Sequence, residues 1–170
     1  MKLHKKSVLI CFSMYIVFVL LHIFLAQVAK TPLIFPDEAR CMGIASKIAT
    51  GYGSNFIYYG GYSVLISIAY LFSSDINVVY SIIQIINAFI DAFLPVLIFI
   101  FAGQLNKNLN LWIKTAAAVL ISLYPHFLTS SHSALPEGLY AVLYMIFIIL
   151  AYDVISQEKI NIKKCIAAVI

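Results

Sequence analysis

Residues 7–28 read SVLICFSMYIVFVLLHIFLAQV, an apolar run without an acidic or basic side chain apart from the neutral imidazole of His22. As a helix it matches the ~20 residues that a bilayer core requires. It is too long for the apolar centre of a signal peptide, and no small-x-small cleavage site precedes the acids beyond it, so it reads as a retained signal anchor. Lys2, Lys5 and Lys6 stand before it and set the N-terminus in the cytoplasm. The whole chain agrees. Its 170 residues are 63% hydrophobic, with a mean hydropathy of +0.99, more apolar surface than a water-soluble domain of this size buries. The expectation is an all-α, polytopic transmembrane helical bundle, an integral multi-pass protein whose solvent is the lipid bilayer.

Working outward, residues 76–105 read as a second span, 112–128 as a third and 136–155 as a fourth. Trp112 and Lys114 are interfacial anchors, and Pro136 suits a first helical turn. A fifth span begins near residue 164, where Cys165-Ile166-Ala167-Ala168-Val169-Ile170 gives about two turns. Residues 1–170 are therefore expected to be the N-terminal module of a larger membrane protein. The lysines at 2, 5, 6, 107, 114, 159, 163 and 164 fall on the cytoplasmic side of this topology, against Lys30, Arg40 and Lys47 outside. The net charge of +4 thus marks span ends, and no nucleic-acid partner is expected. Cys11, Cys41 and Cys165 form neither a disulfide framework nor a CxxC metal pattern.

The first outer segment carries Phe35-Pro36-Asp37-Glu38-Ala39-Arg40. Acids beside a span are costly unless something uses or pairs them. Pro36 to Thr50 is expected to form an amphipathic surface helix, started by Pro36, supported at its N-terminus by Asp37 and Glu38, and ended by Gly51. Cys41, Ile44, Ala45 and Ile48 share one face, and Asp37 and Glu38 both project from that apolar half. Arg40, Gly43, Ser46, Lys47 and Thr50 share the other. Buried carboxylates at such a position suit a general base or a cation ligand. The plainer alternative is that both acids cap the helix and pair with Arg40 or Lys47. The tyrosine- and glycine-rich run through Tyr58-Tyr59-Gly60-Gly61-Tyr62 fits an interfacial belt better than a platform for stacking on sugars, and Ser63 to Phe72, too short to span, is expected to form a second surface helix or a re-entrant one.

In the second span Gln84, Asn87 and Asp91 recur on one face, which should look toward other helices. Asp91 reads best as a hydrogen-bonded packing residue, and Pro95 as a kink. A transporter using Asp91 as its ion site is the competing possibility. A second outer loop ends in Leu135-Pro136-Glu137, on the same side as Asp37 and Glu38. His22, His126 and His132 share that side, which makes His132 and Glu137 weak candidates for a divalent-cation site; no tight ligand spacing supports them.

These features, in this order, resemble the N-terminal part of the GT-C fold glycosyltransferases. The likeness is to the dolichyl-phosphate-mannose protein mannosyltransferases and their bacterial relatives, the aminoarabinose transferases included. It rests on the Pro36-Asp37-Glu38-Ala39-Arg40 motif after the first span, Gly61-Tyr62 opening a short apolar helix, the long span, and Glu137 before the fourth span. Tyr59, Gly60 and Ser63 depart from the prolines common around the glycine–tyrosine pair in that family, and Asp91 stands where a small residue is usual. The resemblance implies transfer of a sugar from a polyprenyl-phosphate donor to a hydroxyl of a glycan, lipid or protein acceptor on the extracytoplasmic face of a bacterial plasma membrane. It implies Asp37 as catalytic base, Glu38, Arg40 and Glu137 as substrate- or cation-binding residues, and possible use of a divalent cation. The rival reading is a non-enzymatic membrane scaffold or transport subunit whose acids are structural.

Overall fold

The computed structural model describes residues 5–28, 35–53, 60–130 and 132–156, and every element among them is helical. Helix α1 spans Lys5–Val28, α2 Pro36–Thr50 and α3 Gly60–Ser67, which runs on into a 3-10 turn, Ile68–Leu71. Then follow α4 (Ile76–Asp91), α5 (Phe93–Leu105), α6 (Leu111–Ser122), α7 (Pro125–Ser130) and α8 (Glu137–Ile155). Among the described residues three stretches are long and apolar enough to cross a membrane: Lys5–Val28, Ile76–Leu105 and Glu137–Ile155. The expected fifth span near residue 164, the lysines around it and the Tyr58-Tyr59 pair lie outside the described residues.

Prolines set the breaks. Pro95 has no N–H for the carbonyl of Asp91, and the helical hydrogen-bond pattern is interrupted at Ala92 between α4 and α5, where the backbone itself stays helical. The third expected span, 112–128, needs correction. Helix α6 stops at Ser122 after 12 residues, about 18 Å against a hydrocarbon core of ~30 Å. Pro125 disfavours helical geometry at Tyr124 and then opens the short α7 as its first residue. Ile76–Leu105, by contrast, holds 30 residues, enough at ~1.5 Å per residue to cross an apolar layer of ~30 Å.

Among the described residues Phe18 and Val19 of α1 close on Ala92, and two larger apolar clusters form. In one, Met14 of α1, Leu94, Ile98 and Phe99 of α5, and Ala118 of α6 pack together. In the other, Cys41, Met42 and Ala45 of α2 meet Tyr62 and Ile66 of α3, Val79, Tyr80 and Ile83 of α4, and Ala134. The second core is built from the acidic helix and the loop before α8, so the two loops that hold the candidate residues share one interior.

Helix α2 has the expected bounds. Gly51 closes it with φ at 80°, its N–H bonded to the Lys47 carbonyl at 2.9 Å. Gly53 is held more tightly: φ is 147°, and an added Cβ would collide with the Gly43 carbonyl and sit 2.9 Å from the Lys47 nitrogen. Gly53→Ala is expected to cost about 1–3 kcal/mol. Gly51→Ala meets open space and costs less. Thermal unfolding of the two variants in detergent checks the order: Gly53→Ala must melt lower.

Candidate functional site at the α2–α4 end

The buried stripe of α2 runs through Glu38, Cys41, Met42 and Ala45, the spacing of one helical face, with Ile44 also covered. Glu38 lies inside it, only 2% exposed. Its Oε1 accepts the Ala134 N–H at 2.6 Å and lies 2.6 Å from the Tyr80 hydroxyl. Its Oε2 is buried without a hydrogen-bond partner.

Asp37 is different. Its side chain is 50% exposed and accepts a hydrogen bond from Arg40 Nη1 at 3.0 Å. The two acids therefore do not both face inward as the helical wheel suggested. Helices α3 and α4 pack on the side of Glu38, Cys41 and Ala45, which leaves Asp37 on the flank it shares with Ile48, itself 48% exposed. A half-exposed pair of this kind contributes little to stability. What it does is hold the Asp37 carboxylate in one place at the first turn of a helix.

The polar stripe of α4 is buried, as expected, and its partner is a loop backbone. Gln84 Nε2 donates to the His132 carbonyl at 3.1 Å, and Asn87 Nδ2 to the Ser133 carbonyl at 2.7 Å. Tyr80, one turn before Gln84, lies 2.7 Å from the same His132 carbonyl. The Tyr62 hydroxyl pairs with Asn87 Oδ1 at 3.1 Å. A loop that carries buried peptide groups needs such partners. Tyr80 escaped the sequence reading, although it precedes Gln84 by four and Asn87 by seven residues.

Asp91, lower on the stripe, presses its carboxyl group against Gly138 of α8, where any Cβ would overlap it. With His22 and Ser122 it lines a cavity of about 10 Å³, room for about one water. This geometry fits the packing reading of Asp91.

Glu137, the first residue of α8, is exposed. Cys41 lies on the same buried stripe of α2 as Glu38. Burial pushes its thiol up to about 11, and the charges of Glu137, Asp37 and Glu38 add to the rise. At pH 8 such a thiol is on the order of 100-fold less ionised than one at the ordinary 9.0. Its alkylation should therefore keep rising tenfold per pH unit through about pH 10, where an ordinary thiol levels off. Following the Cys41 peptide by mass spectrometry across pH checks this; a plateau near pH 9 contradicts it.

The histidines do not join the acids. Burial lowers the basicity of His132, whose Nε2 is covered and unpartnered, and His126 is exposed. Among the described residues no three His, Cys, Asp or Glu side chains come together in a metal-holding group. His132 and Glu137 belong to no such group among the described residues.

Comparison with known proteins adds no relative. No family model, curated protein or solved structure matches the chain. The functional reading rests on the sequence and on this geometry.

Proposed function

We propose that the chain belongs to a membrane glycosyltransferase of the GT-C type, working on the extracytoplasmic face with a polyprenyl-phosphate sugar. The observation that carries this reading is the bond from the Ala134 N–H to Glu38 Oε1 at 2.6 Å, which ties the loop three residues before Glu137 to the helix turn that carries Asp37. The half-exposed Asp37–Arg40 pair is the accessible part of that turn.

Asp37 takes the proton of the acceptor hydroxyl as that oxygen attacks the anomeric carbon. The bond from the anomeric carbon to the phosphate oxygen breaks, and its electron pair leaves with the lipid phosphate. Arg40, on the same flank, supplies positive charge for that leaving group. Glu137, exposed at the start of α8, offers an acceptor for sugar hydroxyls. Glu38 is too deeply buried to meet substrate and acts on the architecture.

The scaffold reading draws on the same ion pair, which would make Asp37 a structural helix-end residue. The two readings part at Glu137. Glu137→Gln, an exposed change without effect on folding, should raise the KM for the lipid-linked sugar on the order of 10-fold if it binds sugar hydroxyls. Sugar transfer by membranes containing the Glu137→Gln protein measures it, and an unchanged KM counts against a sugar-binding role.

A further inference from the structure

Tyr80 has one hydroxyl proton and two acceptors beside it, Glu38 Oε1 at 2.6 Å and the His132 carbonyl at 2.7 Å. The His132 carbonyl already receives the Gln84 amide. A short bond to a carboxylate is the stronger use of the proton. Oε1 then collects the Tyr80 hydroxyl and the Ala134 N–H, one from α4 and one from the loop before α8. Tyr80 itself is 2% exposed, so water does not compete for these bonds. Glu38 belongs to the residue pair whose other member is Asp37, and Ala134 lies three residues before Glu137. The Tyr80 hydroxyl therefore stands at a point where α2, α4 and the loop before α8 are tied together.

We propose that Tyr80 is a positioning residue of the outer site. It holds the Glu38 carboxylate in the position where Oε1 receives the Ala134 N–H, and so keeps the loop before α8 on α2 and Glu137 at its distance from Asp37. It touches no substrate. Gln84 and Asn87 carry the rest of the loop's weight. The catalytic half of the proposal rests on the glycosyltransferase reading, whereas the latch itself does not.

Cys41 is a built-in reporter, because its side chain is fully covered by this same packing. The test is the rate at which a membrane-impermeant maleimide labels Cys41 in the full-length protein in membrane vesicles. Tyr80→Phe removes the hydroxyl and keeps the ring. It should label on the order of 10-fold faster than wild type while remaining monodisperse. Glu38→Gln keeps an oxygen at the Oε1 position and should restore protection relative to Glu38→Ala. Sugar transfer measured alongside should lose kcat in Tyr80→Phe with KM nearly unchanged. Equal labelling of wild type and Tyr80→Phe overturns the latch. Should Tyr80→Phe fail to accumulate, Glu38→Ala removes the acceptor of the same bond and must show the same exposure; protection there overturns it too. Faster labelling of Tyr80→Phe, where wild type itself transfers no sugar, upholds the latch and removes the enzymatic reading. Transfer whose kcat ignores Tyr80→Phe removes the positioning role alone.

Discussion

Asp37→Asn is expected to reduce sugar transfer by on the order of 10²- to 10⁴-fold, the usual worth of a positioned general base. The asparagine keeps the size of the side chain and an oxygen that can accept from Arg40 Nη1. The side chain is half exposed, and its ion pair is of the kind that adds little to stability. Melting temperature and the slow labelling of Cys41 should therefore stay as in wild type. The effect should fall on kcat, because the lost interaction is one made as the proton moves. A folded Asp37→Asn protein that transfers sugar at the wild-type rate would remove Asp37 as the base. Retained activity together with an inactive Glu137→Gln would shift the search to the loop before α8.

The second large effect is on folding. Gly138→Ala places a methyl group where the Asp91 carboxyl group lies, 2.7 Å from its Cγ. Asp91 is 6% exposed, and the cavity next to it holds only about 10 Å³, so the carboxyl group has no room to retreat. Helices α4 and α8 must part, and α8 carries Glu137. The expected cost is about 2–4 kcal/mol, the range for overpacking combined with a disturbed buried polar group. Asp91→Ala in the same chain should recover much of the loss, since it removes the colliding atoms. Thermal melting of the two single variants and the double variant measures this. Additive losses, with no recovery in the double variant, would mean that the collision is not what Gly138 avoids.

Parts of this arrangement were legible because a single residue dictates a local event. Pro36 and Gly51 bound α2, and the spacing of Gln84, Asn87 and Asp91 marks a buried face whatever lies opposite. Other parts depend on what packs where. A helical wheel puts Asp37 and Glu38 on neighbouring flanks, and only the docking of α3 and α4 decides that Glu38 goes in and Asp37 stays out. Hydropathy runs smoothly across residues 112–128, because a window average counts the apolar ring of Pro125 and ignores its missing N–H. Tyr80 reads as one more interfacial aromatic until the loop backbone it serves is in view. The contact between Asp91 and Gly138 joins residues far apart in sequence, and nothing local to either announces it.

The most direct test is transfer of a labelled sugar in proteoliposomes that hold the purified full-length protein, with a polyprenyl-phosphate sugar and an acceptor offered on one side at a time. Sugar transfer with release of polyprenyl phosphate, on the side opposite the N-terminus and absent in Asp37→Asn, is the result expected. No transfer from either side across a panel of lipid-linked sugars, or transfer only on the N-terminal side, would contradict it.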